Sequence, residues 1–367
     1  MKFRVNSENI LSDVQLAASI IPNNHVVLST EYLFLELQGN ALNIKSTDLE
    51  VAVSADVVVD GMGDGTVCVQ GKIFAETLKA NRGDALTFEV KDNRMEITGK
   101  RGSYKIATID PSDFPEPTDT AAAHSIDFDG DVFKEVAKNT VYATSKDDMR
   151  QAMKGVLIDI TPTSVNFVAT DAFRLVMHHF MRDGESSYKI LVPANAMRLI
   201  AASVKGDDKV RIISDESYLK ANIRNIDIHV RLLDNLFPNY HGVIPLHNPN
   251  ELTVSRLQFI NALKRVLILG KKDTNQVTFT VTSDELTLTA QDLDYGHKAT
   301  EVIPCEFSDT NGTEFASNGQ YLIEGLSTLK GEEVSFQIGQ PSRAYIAKEY
   351  NSNYDSTLLF MPIMVKS

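Results

Sequence analysis

The sequence predicts an α+β protein built from three copies of one unit of about 120 residues, each with two helices and many strands. Three markers support this prediction: a strand that ends in aspartate, a helix followed by a glycine, and an opening strand that leads into a helix. Each marker occurs three times along the 367-residue chain. Because the three markers share one period, chance is a poor explanation for them.

The first marker is a strand that alternates apolar and polar residues and closes on an aspartate. It occurs in "ALNIKSTDLE", "SVNFVATDAF" and "ELTLTAQDLD". Such alternation is the period of a half-buried β-strand. Its aspartates, Asp48, Asp171 and Asp292, are 123 and 121 residues apart.

The second marker is a short amphipathic helix, then a glycine, then an alternating strand. It occurs in "GKIFAETLKANRGDALTFEV", "ANAMRLIAASVKGDDKVRII" and "NGQYLIEGLSTLKGEEVSFQI". The glycines, Gly83, Gly206 and Gly331, stand where the C-terminus of a helix needs a left-handed residue. They repeat at 123 and 125 residues.

The third marker is a strand and helix that open each unit, in "KFRVNSENILSDVQLAASII", "SIDFDGDVFKEVAKNTVYA" and "ELTVSRLQFINALKRVLIL". Apolar residues at helical spacing predict the buried face of the opening helix in the first unit and in the third unit. These residues are Ile10, Val14, Ala17 and Ile21, then Leu257, Ile260, Leu263 and Leu267. Proline-rich linkers separate the units and predict domains at 1–122, 123–249 and 250–367.

Composition excludes several classes of protein. We expect a cytoplasmic protein, because the chain shows neither a signal peptide nor an apolar run of membrane-spanning length. Cys68 and Cys305 do not make a disulfide framework. The net charge of −13 excludes a binder coated in basic residues, although a basic surface can still be local. The six predicted helical segments together carry +5, which favours a surface that follows phosphates; the alternative is that solvent faces of helices are simply rich in Lys and Arg.

No catalytic constellation is evident, and we expect neither an enzyme nor a bound cofactor or metal. His178 and His179 lie in an alternating strand, so one ring faces inward and the other outward. The three aspartates recur once per unit, which favours a turn-forming role over a carboxylate site. The C-terminus, "TLLFMPIMVKS", ends in apolar residues and methionines. It predicts either a buried last strand or a surface that accepts several partners.

Several short motifs along the chain occur together in one known family. They are "MKF" at the start, "TDLE" (47–50), "DFP" (113–115), "VATDAFRL" (168–175), "FPNY" (237–240) and "MPIM" (361–364). In this order they resemble the family of bacterial DNA polymerase III β subunits, the sliding clamps, over the whole chain. The resemblance implies three clamp domains per chain, each with two helices packed on antiparallel sheets. It also implies a head-to-tail dimeric ring, lined by helices, that encircles duplex DNA without reading its sequence. It also implies a nucleoid-associated, non-catalytic processivity factor.

The resemblance further implies a groove that binds short linear motifs of partner proteins. These partners would be the replicative polymerase, the clamp loader, and translesion and repair proteins. By motif, the groove residues are Met153, Thr170, Ala172, Phe173, Arg174, Leu175, Pro238, Val243, Leu359, Met361, Pro362, Ile363 and Met364. Such a groove is a small apolar pocket with a few polar groups that orient an extended peptide.

Two further sets of residues follow from the same resemblance. The residues expected to face DNA are Lys72, Lys79, Arg82, Arg150, Gln151, Arg198 and Lys205. The residues expected at the dimer interface are Ile73, Thr77, Tyr104, Ile106, Ile268, Leu269, Lys271 and Lys272.

The chain departs from the family pattern at several of these places. Ala172 and Phe173 replace Gly and His, and Gly242 replaces an arginine. The tail ends in Val365-Lys366-Ser367, and Asn24 and Gln151-Ala152 replace basic or aromatic residues expected near DNA. Peptide preference is therefore expected to differ from that of other members.

Two alternatives to a clamp are a hydrolase or lyase on tandem α+β units, and a monomeric scaffold that keeps the groove.

Overall fold

The first repeat alternates strands with two helices. A computed structural model describes residues 1–22, 28–118, 120–350 and 353–364. The elements are β1 (Lys2–Asn6), α1 (Ser7–Ser19), β2 (Tyr32–Gln38), β3 (Ala41–Thr47), β4 (Val51–Val58), β5 (Asp60–Gly63), β6 (Gly65–Gln70), α2 (Gly71–Ala80), β7 (Ala85–Lys91), β8 (Arg94–Thr98) and β9 (Ser103–Ile109).

The second and third repeats follow the same order, except that the second has no described counterpart of the short strand β5. The second contains β10 (His124–Asp129), α3 (Gly130–Val141), β11 (Gly155–Ile160), β12 (Ser164–Thr170), β13 (Arg174–Met181), β14 (Tyr188–Pro193), α4 (Ala194–Ser203), β15 (Lys209–Ser214), β16 (Tyr218–Ile223) and β17 (Ile226–Arg231). The third contains β18 (Asn250–Ser255), α5 (Arg256–Val266), β19 (Gln276–Val281), β20 (Glu285–Asp292), β21 (His297–Pro304), β22 (Glu306–Phe307), β23 (Thr313–Asn318), α6 (Gly319–Leu326), β24 (Glu333–Ile338), β25 (Tyr345–Tyr350) and β26 (Asp355–Phe360). The predicted α+β class and the threefold repeat are confirmed.

The chain divides into two compact units, 1–134 with 199–232 and 135–198 with 233–367. The first unit contains a 13-stranded sheet in the order β10-β15-β16-β17-β4-β3-β2-β6-β9-β8-β7-β1-β5. The second contains a nine-stranded sheet, β14-β11-β12-β13-β26-β25-β24-β18-β22, and a four-stranded sheet, β21-β20-β19-β23. All pairings are antiparallel, which alternating strands with one buried face favour.

Strand pairing joins consecutive repeats by one rule. In the first unit, β4 pairs with β17, the last strand of the second repeat. In the second unit, β13 pairs with β26, the last strand of the third repeat. Both β4 and β13 are the third strand after the first helix of their repeat. The equivalent strand of the third repeat is β21, which among the described residues pairs only with β20.

The predicted helix faces are correct in the first repeat and partly wrong in the third. Ile10, Val14 and Ala17 are fully buried, and Ile21 is nearly so. In α5, Ile260 and Leu263 are buried, but Leu257 is 58% exposed. Phe259 lies on the buried face instead, because its ring packs edge-on against Phe279 and Phe336.

Two of the three glycines have the predicted backbone. Gly83 and Gly206 have φ of +82° and +52°, which costs glycine little. Gly331 was predicted to match them, and this is wrong. The helix α6 already ends at Leu326, five residues before Gly331. The N–H of Gly331 donates to the Glu349 carboxylate at 2.8 Å instead of capping a helix.

The two adjacent histidines of β13 face opposite sides, as the alternation predicts. His178 is 1% exposed, its Nδ1 lies 2.9 Å from Ser356 Oγ, and its ring meets Tyr354 edge-on. His179 is half-buried and contacts Asn166. Burial lowers the pKa of His178 to about 4, because the charged ring loses its hydration.

The lowered pKa of His178 makes stability depend on pH. The unfolded chain binds a proton near pH 6.5 and the folded chain near pH 4. Neutral, buried His178 therefore contributes its whole stabilising effect above pH 6.5. As the pH falls from 6.5 to about 4, the free energy of unfolding decreases by about 3 kcal/mol. Urea unfolding of wild type and His178→Gln at pH 7.5 and pH 4.5 measures this, and the variant is expected to lose less stability in acid. The exposed His247 supplies the control, His247→Gln; equal acid losses in all three proteins would contradict the assignment.

Candidate functional site

The segment that joins β12 to β13 is a tight turn closed by its own side chains. The hydroxyl of Thr170 donates to the carbonyl of Arg174 at 2.6 Å and accepts the N–H of Ala172 at 3.1 Å. One carboxylate oxygen of Asp171 accepts the N–H groups of Phe173 and Arg174 at 2.9 and 3.0 Å. Asp171 therefore forms the turn, as the sequence indicates. Ala172 has φ of +77°, a conformation that favours glycine.

The other two aspartates also bind backbone N–H groups. Asp48 accepts the N–H groups of Glu50 and Val51 at 3.0 and 2.7 Å. Asp292 accepts the N–H of Asp294 at 3.1 Å, in a longer turn. The predicted turn-forming role is thus confirmed at all three positions.

The side chain of Arg174 is buried beneath this turn and is 8% exposed. Its guanidinium carbon lies 5.1 Å from the ring centre of Tyr142 and 4.2 Å from that of Tyr321. Its N–H groups donate to Asp171 at 3.0 Å, to the Tyr142 carbonyl at 2.8 Å and to the Glu324 carboxylate. Burial alone would raise the pKa of Glu324, but hydrogen bonds from Gln320 and Arg174 lower it below its usual range.

These contacts make Arg174 a connector rather than an exposed wall of the site. It links the turn to the end of α3 through Tyr142 and to α6 through Tyr321 and Glu324. A cation over an aromatic ring gains about 2 kcal/mol when water is excluded. Sequence reasoning missed these three partners, because they lie far from Arg174 along the chain and follow no local pattern.

Phe173 and Arg150 form the exposed part of the turn. The Phe173 ring is 52% exposed, and the guanidinium carbon of Arg150 lies 5.2 Å from its centre. Arg150 also donates to the carbonyl of Asp171 at 2.6 Å. The structure thus places Arg150, which we expected to face DNA, against the turn.

The C-terminal tail is attached to the turn through its backbone. The N–H of Met361 donates to the carbonyl of Phe173 at 2.9 Å, and the N–H of Ile363 donates to that of Ala316 at 2.7 Å. Met361 and Met364 are 40% and 75% exposed. Pro362 is half-buried, and Val365, Lys366 and Ser367 lie outside the described residues.

An apolar cluster lies under the turn and the tail. Leu175 and Leu359 pair across β13 and β26, and both are 3% exposed. The cluster also holds Tyr240, whose hydroxyl donates to Asp159 at 2.8 Å. This anchor fixes the segment that carries the exposed Pro238 and the 53% exposed Val243. Tyr240 belongs to the "FPNY" motif but was not singled out from the sequence.

The remaining predicted groove residue, Met153, is half-buried at the end of a short 3-10 helix, Gln151–Met153. The structure therefore brings Thr170, Ala172, Phe173, Arg174, Leu175, Leu359 and Met361 together by direct bonds or strand pairing. Val243 and Pro238 are held near the same cluster through Tyr240 and Phe237.

Most residues expected to face DNA are exposed on or beside helices. They are Lys72 and Lys79 on α2, Arg82 after it, Gln151, Arg198 on α4 and Lys205. Arg82 pairs with Glu8 at 3.0 Å, and both side chains stay largely in water. Asn24, where a basic residue was expected, lies outside the described residues.

No helix in the described part of the chain is long and apolar enough to cross a lipid bilayer.

The residues expected at a dimer interface include several exposed apolar side chains. Ile73 and Tyr104 are 46% and 38% exposed, and Ile268 and Leu269 are 68% and 39% exposed. Ile106, in contrast, is buried within its own unit, with only 8% of its surface exposed. Near these residues, the hydroxyl of Thr77 donates to the Ile73 carbonyl, Lys271 pairs with Asp294, and Lys272 donates to the Leu267 carbonyl.

The sequence matches three consecutive family descriptions. They are DNA polymerase III beta subunit, N-terminal domain, over residues 1–118, central domain over 127–239, and C-terminal domain over 241–364. Among curated relatives, the beta sliding clamp of Pseudomonas aeruginosa is 22% identical and that of Treponema pallidum 24% identical. The first alignment covers 99% of this chain and the second 100%, and each covers all of the relative.

Solved structures share the fold over the full length. A sliding clamp from Pseudomonas aeruginosa bound to griselimycin has a TM-score of 0.94 at 21% identity, with complete coverage of both chains. The DNA polymerase III beta subunit of Thermotoga maritima has a TM-score of 0.91 at 20% identity, again with complete coverage.

The positive φ of Ala172 predicts that Ala172→Gly raises the free energy of unfolding by about 1 kcal/mol, because glycine adopts this conformation without strain. The matched control is Ala169→Gly in the strand before the turn, where Ala169 is fully buried. This control should lower stability, since it removes a buried methyl group and loosens a strand. Denaturant unfolding followed by fluorescence measures both, and a destabilised Ala172→Gly would contradict the assigned strain.

Proposed function

Because the chain belongs to the family of DNA polymerase III β subunits, we propose that it is a sliding clamp of DNA replication. It encircles duplex DNA as a dimer, makes no sequence-specific contact, and tethers the polymerase without catalysing a reaction. Linkage through a closed ring, rather than tight contact, then supplies processivity. We place it in the cytoplasm with the nucleoid, as a part of the DNA polymerase III holoenzyme.

The observation that supports this function best is the site built by the turn, the tail and the apolar cluster. Its floor is apolar, through Leu175 and Leu359. Its rim exposes Phe173, Val243 and Met361. Such a surface suits an extended peptide with large apolar side chains.

Ten of the thirteen groove residues named from the sequence have one of three roles in this proposal. Phe173, Pro238, Val243, Met361 and Met364 contact the peptide. Thr170, Ala172 and Arg174 shape the turn, whereas Leu175 and Leu359 form the floor. The partners are the replicative polymerase, the clamp loader, and translesion and repair proteins, which compete with short linear motifs.

The pairing of strands between repeats supports a head-to-tail dimer. In each pairing, the third strand after the first helix of one repeat meets the last strand of the next repeat. In the third repeat, β21 has no such neighbour among the described residues. In the last strand of the first repeat, β9, residues Ser103–Ala107 pair only with β8 in the described part of the chain. Unpaired strand edges favour association, so β21 of one copy is proposed to meet β9 of another.

The charge distribution fits contact with DNA along the helices. Lys72, Lys79, Arg198 and Lys205 are exposed there, in a chain whose net charge is −13. Phosphate contacts of this kind bind without regard to sequence and weaken as salt rises. The three domains that carry these helices are proposed to span 1–122, 123–249 and 250–367.

Two charged substitutions at the proposed interface test the dimer. Ile268→Asp combined with Leu269→Asp is expected to yield monomers of 40.6 kDa, because unpaired carboxylates at an apolar contact cost several kcal/mol. Sedimentation equilibrium measures the mass. A matched control, Leu236→Asp with Leu246→Asp, changes two leucines that are 95% and 89% exposed elsewhere and should remain dimeric. A double mutant at 268 and 269 with wild-type mass would rule out this interface, and a monomeric wild type would favour the scaffold.

Removal of the tail tests the groove. A chain that ends at Phe360 loses Met361 and its bond to Phe173, so we expect it to lose binding of a fluorescent peptide of the Gln-x-x-Leu-Phe type. Fluorescence anisotropy measures binding, and circular dichroism checks that the fold persists. Leu246→Ala, at an exposed residue outside the tail, should bind like wild type. Unchanged affinity in the truncated protein would eliminate the tail from the groove.

A further inference from the structure

Arg150 was expected to face DNA, yet its side chain holds the turn of the candidate groove on the exposed side of that turn. Its Nη1 donates to the carbonyl of Asp171 at 2.6 Å. Its guanidinium carbon lies over the ring of Phe173, 5.2 Å from the ring centre. Both contacts reach adjacent groups of one turn, so the entropy of fixing the Arg150 side chain is lost only once for the two of them.

The loop that carries Arg150 is itself fixed by backbone hydrogen bonds. The N–H of Arg150 donates to the Asp147 carbonyl at 3.1 Å, and its carbonyl accepts the N–H of Met153 at 2.9 Å. The Met153 carbonyl in turn accepts the N–H of Ser145 at 2.8 Å. The Arg150 Nε also lies 3.5 Å from the Asp147 carboxylate. The same loop therefore places Met153, which the sequence named for the groove, and presents the guanidinium to the turn.

The ring of Phe173 depends on such support. It is 52% exposed, so the interior of the protein does not fix its orientation, and a side chain of this kind can move between staggered rotamers. A peptide that binds one rotamer must immobilise the ring, which lowers affinity by about two- to twelve-fold. A guanidinium over one face restricts the ring beforehand, because a ring that turns away loses the cation–π contact.

The backbone of Phe173 is held by other groups. Its N–H donates to the Asp171 carboxylate at 2.9 Å, and its carbonyl accepts the N–H of Met361 at 2.9 Å. Buried Arg174 binds the same carboxylate from below, at 3.0 Å. Replacement of Arg150 is therefore expected to free the ring while the turn and the tail keep their places.

A contact with a DNA phosphate is the alternative role for Arg150. The side chain is 36% exposed, and a guanidinium suits phosphate geometry. Turning towards a phosphate would break the bond to Asp171 and would remove the guanidinium from the ring of Phe173. The geometry of this side chain therefore favours the groove over DNA.

We propose that Arg150 is a positioning residue of the peptide groove, which holds the ring of Phe173 in the orientation that a bound peptide needs. Arg150 acts through this ring and not by touching the peptide. The rim is then formed before the peptide arrives, which raises affinity without adding a contact to the peptide. This inference rests on the proposed peptide groove.

A double-mutant cycle in the full-length protein tests the proposal. Wild type, Arg150→Gln, Phe173→Leu and the double variant are titrated with the fluorescent Gln-x-x-Leu-Phe peptide. Phe173→Leu keeps an apolar rim but removes the aromatic face. Arg150→Gln is expected to weaken binding about five-fold in wild type and to have little effect in the Phe173→Leu background.

Two further variants separate positioning from charge. Lys146→Gln removes an exposed positive charge from the same loop and leaves Arg150 in place, so it should bind like wild type. Arg150→Lys keeps the charge but not the planar guanidinium, so its loss of affinity should be smaller than that of Arg150→Gln. Circular dichroism checks that each variant is folded.

The mobility of the ring is measured directly, without peptide. Carbon-13 relaxation of the phenylalanine rings reports motion on the picosecond to nanosecond timescale, and the signal of Phe173 is identified by its loss in Phe173→Leu. The ring is expected to be more mobile in Arg150→Gln than in wild type or Lys146→Gln. A purely electrostatic role of Arg150 would leave this mobility unchanged.

Three results would overturn the proposal: equal losses of affinity from Arg150→Gln in both backgrounds, unchanged affinity in Arg150→Gln, or unchanged mobility of the ring. Failure of wild type to bind the peptide would instead count against the proposed groove. The relaxation measurement would still decide whether Arg150 fixes the ring of Phe173.

Discussion

The candidate groove depends on the buried guanidinium of Arg174. A guanidinium always carries its charge, so it leaves water only where its faces and its N–H donors find partners. Here the rings of Tyr142 and Tyr321 both lie against the guanidinium, while Asp171, Glu324 and a carbonyl accept its N–H groups. Removing one partner of such a buried pair typically costs about 3–5 kcal/mol. One side chain therefore holds a turn of the second repeat against a helix of the third.

Backbone hydrogen bonds connect the turn that Arg174 holds to the C-terminal tail. The turn presents the carbonyl of Phe173, which accepts the N–H of Met361, and β26 is paired with β13 up to that point. The tail is thus fixed by its main chain, while the side chains of Met361 and Met364 stay exposed. Methionine side chains are flexible and polarisable, so a rigid backbone with methionines on its rim can accept peptides of different shapes.

The repeat and the turns could be predicted from the sequence because both rest on local signals. Alternation marks strands, and an aspartate two residues before a free N–H marks a turn. The contacts of Arg174 gave no such signal, since Glu324 is 150 residues away. The predicted burial of Leu257 and the predicted helix-ending role of Gly331 are wrong for a related reason. Helical spacing alone does not decide which apolar side chain the neighbouring sheet covers, and α6 ends before the glycine that was expected to terminate it.

A chain of repeats joined through strands necessarily has two unlike ends. Among the described residues, β21 in the second unit has an open edge, and β9 in the first unit is only partly paired. Contact between unlike edges is heterologous, so copies either close into a ring or grow into a filament. Ile268, Leu269 and Tyr104 are exposed, and exposed apolar side chains of this kind favour association. A filament would offer no enclosed path for a duplex, whereas a closed ring holds DNA without binding it tightly. The clamp function therefore requires the edges of β21 and β9 to meet after a fixed number of copies.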